Sequence, residues 1–142
     1  MAKQISIFLE NKAGRLASVT RVLGDSGINI RALSIADTSD FGILRLIVNE
    51  PTRAYKILKD AGYTVSETDV IAVQIPDIPG GLATVLEQMA GEGLNIEYLY
   101  AFIGTSEKDA LVIFKVEDLQ KTIATFNEKG IKFIPEKQLY QM

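Results

Sequence analysis

The chain has 142 residues, no cysteine and no histidine, 47% apolar and 23% charged residues, and a formal charge of −3 with a pI near 5.0. This length fits one domain or two very small ones, and the missing residue types exclude a disulfide framework, a thiolate metal site, the commonest metal ligand and the usual general base. The acidic balance argues against a nucleic-acid partner, and no apolar stretch approaches the ~20 residues of a membrane helix. The opening MAKQISIFLE lacks the apolar core of a signal peptide, so a soluble cytoplasmic location is expected.

In chain order, ISIFLE alternates as a half-buried strand does. NKAGR (11–15) is a glycine-containing loop, and Leu16, Val19, Thr20 and Leu23 then recur at the spacing of one helix face. Gly27 is placed to end that helix in a left-handed conformation. INIRALSIADT and ILRLIVNE are β-rich runs separated by the hairpin signal SDFG. Pro51 suits the first position of a second helix, whose stripe is Ala54, Ile57, Leu58 and Ala61. Gly62 stops that helix, and YTV reads as a short last strand.

From there the chain repeats itself. At an offset of 66, Gly14, Leu16, Ala17, Val19, Gly27, Asn29, Ile30 and Leu33 meet identical residues at Gly80, Leu82, Ala83, Val85, Gly93, Asn95, Ile96 and Leu99. Leu82, Val85, Leu86 and Met89 repeat the first helix face, and Leu119, Ile123 and Phe126 the second. Later the offset becomes 68, since Gly62 matches Gly130. At least one of the extra residues is expected in the hairpin, where TSDFG faces TSEKDA. The order is β-α-β-β-α-β twice. The fold class expected is α+β: two ferredoxin-like units, residues 1–67 and 69–142, each a four-stranded antiparallel sheet with two helices on one face. Only SETD is left to link them. Charge divides unevenly: residues 1–68 carry nine Lys/Arg against seven Asp/Glu, and residues 69–142 carry six against eleven.

A βαββαβ unit that reads NKAGRLASVTRVLGDSGINI in one copy and DIPGGLATVLEQMAGEGLNI in the other resembles the ACT domain. The resemblance spans nearly the whole chain and includes no catalytic domain. It implies a regulatory or sensor protein that binds a small amino acid at junctions between domains, where the glycine loop of one faces the Asn-Ile strand start of its neighbour. It also implies a homodimer and a metabolic enzyme as a possible partner, with no cofactor and no metal.

The chemistry of the motif is consistent with this. A loop entering a helix ends in backbone N–H groups without helical partners, at the positive pole of the helix dipole, and a carboxylate suits that place. An Asn amide both donates and accepts. One expected site comprises Asn11, Ala13, Gly14, Arg15 and Leu16 with Asn95 and Ile96. The other comprises Asp77, Pro79, Gly80, Gly81 and Leu82 with Asn29 and Ile30. Structural readings stand beside these. The glycines serve equally as turn formers, the Asn residues as strand-entry turns, Asp77 as a helix cap, and Ile30 and Ile96 as core.

Tyr98, Tyr100 and Phe102 line one face of their strand while Leu99 and Ala101 make the other face apolar too. That pattern asks for a second buried surface, against another subunit or a ligand. Among other functions, a docking subunit with degenerate ligand sites is the main alternative. An enzyme lacks a nucleophile–base pair, a metal set and a phosphate loop in this sequence. An RNA-binding sheet would need exposed aromatics on its central strands and a basic surface, and a metallochaperone would need Cys-x-x-Cys.

Overall fold

The computed structural model describes residues 1–37, 40–102 and 109–141. Of the hairpin segments expected to hold the extra residue, positions 38–39 of TSDFG and 105–108 of TSEKDA lie outside these residues. Two compact units are present, one built on Lys3–Thr68 and the other on Asp69–Leu139; Met1–Ala2 group with the latter and the residues from Tyr140 with the former.

The first unit contains β1 (Ala2–Glu10), α1 (Arg15–Asp25), β2 (Ile30–Asp37), β3 (Phe41–Val48), α2 (Pro51–Asp60) and the start of β4 (Thr64–Pro76). Its strands are ordered β2-β3-β1-β4, and β3 is antiparallel to both neighbours. Alternation decides the faces. Ile5, Ile7 and Leu9 of β1 and Leu44, Leu46 and Val48 of β3 point toward the helices, where Val19 and Leu23 of α1 and Ala54 and Leu58 of α2 complete the core. Pro51 opens α2 as expected.

The second unit takes the remainder of β4, then α3 (Gly81–Gly91), β5 (Ile96–Ala101), β6 (Asp109–Val116), α4 (Leu119–Lys129) and β7 (Phe133–Ile134). The order is β7-β4-β6-β5, with antiparallel pairing of β4 to β6 and β7 and of β5 to β6. Its core repeats the first, with Ile71, Val73 and Ile75 against Val85, Met89, Phe114 and Phe126. Each unit is thus a ferredoxin-like βαββαβ unit.

Two features differ from the sequence reading. SETD is not a linker turn: β4 runs unbroken for 13 residues through the unit boundary. The β-branched Thr64, Val65, Thr68, Val70 and Ile71 on both sides of and within SETD favour extended backbone, and neither glycine nor proline interrupts them. A further helix, α5 (Glu136–Gln141), follows β7 and carries the fully buried Leu139.

The aromatic stripe also resolves. Tyr100 pairs with Ile113 on the face opposite the helices. Tyr100 and Phe102 are only 8% and 5% exposed, and Leu111 and Ile113 on the same side are buried. Tyr98, the third member of the stripe, is half-buried. Truncating one of the two fully buried phenylalanines of the second core, Phe126→Ala, is expected to cost about 3–5 kcal/mol, read as a lower midpoint in urea unfolding.

Candidate functional site

The loops that enter α1 and α3 have the same hydrogen-bond pattern. Lys12 N–H donates to the Glu10 carbonyl and Arg15 N–H to the Lys12 carbonyl; 66 residues on, Ile78 donates to Pro76 and Gly81 to Ile78. Each loop ends in a glycine N-cap with positive φ, +87° at Gly14 and +83° at Gly80. Neither cap has a side chain to offer, and neither helix has an acidic residue in its first turn. The contrast is α4, whose N-cap Asp118 accepts from Lys121 N–H. Two helix termini are thus left open toward an anion, and Asp77, three residues before Gly80, does not cap α3.

The loops differ in detail. In the first, Asn11, Arg15 and Leu16 border a depression of about 150 Å3 together with Ile35 of β2. Its charges satisfy one another: Lys12 Nζ is 2.9 Å and Arg15 Nη2 3.7 Å from the Glu10 carboxylate. The hydrogen bond and charge of Lys12, helped by Arg15, hold the Glu10 carboxyl below the usual range for a glutamate. The second loop has Pro76, Ile78 and Gly81 at those three positions. A Cβ on Gly81 would lie 2.1 Å from the Pro76 carbonyl oxygen, so only glycine lets this turn close. Pro79, Gly80 and Gly81 line a cleft of about 550 Å3 with Gln74, Thr84, Gln88, Asp109 and the turn Lys129–Lys132. No periodicity announced those further residues, because they come from separate elements that only the fold brings together.

The Asn-Ile phrase lies elsewhere in each unit. Asn49 N–H donates to the Asn29 carbonyl and Asn29 N–H to the Asn49 side chain, which ties the start of β2 to the end of β3. Asn95 is held likewise: Glu117 N–H donates to its carbonyl, and its own side-chain amide donates to the Glu117 carboxylate. Ile30 and Ile96 pack against the two cores. Within a unit the Asn stands at the far end of an 11-residue helix from the glycine loop, a rise of roughly 16 Å at 1.5 Å per residue. No unit therefore brings its own loop and its own Asn together. Glu97, equivalent to Arg31, pairs with Lys115 at 2.7 Å.

A βαββαβ unit made twice, with an uncapped glycine loop before each first helix, matches the family model of the ACT domain pair over residues 1–142. The chain belongs to this family. A solved protein of Bacteroides thetaiotaomicron is 45% identical, covers 99% of this chain and 96% of its own, and superposes with a TM-score of 0.94. The ligand-free regulatory subunit of aspartate kinase from Thermus thermophilus is similar in fold at 20% identity, covering 89% and 91% of the two chains with a TM-score of 0.67. Its Thermus flavus counterpart gives 20%, 89%, 90% and 0.62. No curated protein sequence matches the chain. No helix among the described residues is long and apolar enough to cross a membrane.

Two outcomes follow from the loop geometry. Gly81→Ala is expected to destabilise the chain, whereas Gly24→Ala, in α1 with open space around it, should stabilise it by roughly 0.5–1 kcal/mol; thermal unfolding of both variants checks this. Glu10 should titrate by side-chain carbonyl NMR below an ordinary glutamate and move back up in Lys12→Met. Because its folded pKa is depressed, the pairing contributes above the unfolded pKa and is lost as pH falls through the folded one.

Proposed function

We propose that this ACT pair is a regulatory module that binds a small amino acid at its glycine loops. The observation that carries the reading is the pair of glycine N-caps, each leaving a helix N-terminus uncapped and free of acidic residues. A carboxylate placed there accepts from main-chain N–H groups. Asn11 and Asp77 stand in the same loops to meet the ligand ammonium. Asn29 and Asn95 contribute from a second ACT domain, since within a unit they stand far from the loop. Membership of the ACT family supports a regulatory role rather than an enzymatic one.

The assembly proposed is a homodimer. β2 and β5 are edge strands, and beside them the units expose matching leucines, Leu16 and Leu82 on the helices and Leu33 and Leu99 on the strands, each 38–40% exposed. An apolar sheet edge is a ready surface for a second copy. A docking role on a metabolic enzyme is favoured by one separate feature: Phe8 and Phe41, stacked at 4.9 Å on the face of the first sheet away from its helices, remain 48% and 43% exposed.

A thermal-shift screen against the proteinogenic amino acids tests the ligand, because a compound that binds only the native state must stabilise it. One or a few are expected to raise the Tm. At a loop that binds, the Asn assigned to it should matter, Asn29→Ala for the loop at Gly80 and Asn95→Ala for the loop at Gly14, each weakening binding there by roughly ten- to hundredfold, the equivalent of ~1–3 kcal/mol for a lost polar partner. No shift with any amino acid would leave the docking role. Equilibrium sedimentation is expected to give twice the chain mass, reduced toward a single chain by Leu33→Glu.

A further inference from the structure

The second unit's cleft has a counterpart in the first, and the two differ in one contact. In the first unit a cleft of about 390 Å3 lies between the end of β1 and the turn after α2, bordered by Glu10, Arg15, Gly62, Tyr63 and Thr64. There the Tyr63 hydroxyl and Ser18 Oγ are 2.6 Å apart, a hydrogen bond between residues 45 positions apart that ties α1 to the turn. Arg15, in its first turn, is the one α1 residue lining this cleft among the described residues. The corresponding positions of the second unit are Thr84 (18 + 66) and Ile131 (63 + 68). Ile131 has no polar group to offer, and Thr84 Oγ1 donates instead to the Gly80 carbonyl at 3.0 Å. The tie is absent from this pair, and Thr84, Val85 and Gln88 of α3 line the larger cleft.

The charges differ as well. In the first cleft Glu10 is engaged by Lys12 and Arg15. In the second, the one carboxylate on the wall among the described residues is Asp109, which accepts from the Gln74 amide. Two ammonium groups face it across the lining, Lys129, paired with Glu92 at 3.3 Å, and Lys132, which is exposed. The wall also presents the apolar side chains of Ile78, Val85 and Ile131 beside the polar Thr84 and Gln88. A phosphate or other polyanion would meet Asp109 unfavourably, and a simple cation would meet the lysines. A zwitterion with an apolar side chain suits all three kinds of wall, and the volume lies within the usual range of small-molecule sites.

We propose that ligand binding is confined to this cleft of the second unit, with one amino acid of apolar side chain held per chain by Asp109 at its ammonium and Lys132 at its carboxylate. The first cleft is the smaller of the two, its Tyr63 is fixed to Ser18, and its Glu10 is already engaged by Lys12 and Arg15. This rests on the reading that the chain binds an amino acid, and it narrows that reading to one unit and one ligand class.

Calorimetric titration with leucine, isoleucine, valine, methionine and phenylalanine decides it, on the wild type and on two variants that fill the cleft from opposite walls, Ile131→Tyr and Thr84→Phe. Thr84 is exposed, so its variant tests the cleft without risk to the core, and thermal unfolding verifies the fold of both. The expected result is one site per chain, weakened roughly tenfold or more in each variant as the ligand's apolar contacts are displaced. Two equal sites per chain, or unchanged affinity in both variants, overturns the confinement and leaves amino-acid binding intact. The absence of binding by these five while polar amino acids bind overturns the ligand class alone. No binding of any amino acid overturns this proposal and the function it rests on.

Discussion

A backbone angle near +85° at the start of each unit's first helix is the constraint on which the candidate sites depend. Gly14 and Gly80 are the residues that adopt it, and a β-carbon there would collide with the following carbonyl, which is why glycine is the default. The turn lets the chain leave the end of the first strand and enter the helix within four or five residues. It also removes the position from which a Ser, Thr, Asp or Asn would normally cap the helix. The open N-termini are a consequence of that choice.

The same frame then carries different chemistry in its two copies. Loop hydrogen bonds, core positions and strand order repeat, because they depend on backbone geometry and on apolar periodicity, both of which survive substitution. The side chains that project into the clefts have no such obligation. Glu10, Lys12 and Arg15 form a closed set of charges in one loop, while Pro76, Ile78 and Gly81 stand at those positions in the other and leave it Asp77 alone. Tyr63 reaches Ser18, and Ile131 has nothing with which to reach Thr84. Duplication of a unit thus preserves the scaffold and frees one copy of the site to change.

The Asn-Ile phrase illustrates how a repeated motif acquires a structural explanation without losing a functional one. Asn29 and Asn95 each have a backbone carbonyl engaged by the end of the neighbouring strand. These bonds account for a polar residue at the strand start. They leave the Asn29 amide at the surface, and they commit the Asn95 amide to Glu117, so the two Asn residues do not offer a ligand the same group.

By itself the sequence determined the βαββαβ order, its duplication, the helix faces, the left-handed Gly27 and Gly93 that follow the first helix of each unit, and the family. Each of these is a local matter of periodicity or of allowed backbone angle, and local rules are written along the chain. The continuity of β4 through SETD, the existence of α5 and the burial of Tyr100 and Phe102 in a single chain were decided by tertiary structure. Strand pairing and burial depend on which surfaces meet, and that depends on residues far apart in the sequence. The clefts belong to the same class. Ser18 and Tyr63 are 45 positions apart and Gln74 and Asp109 are 35 apart, so no window read along the chain contains both members of either pair. Their chemistry exists only once the sheet and helices have set the distances.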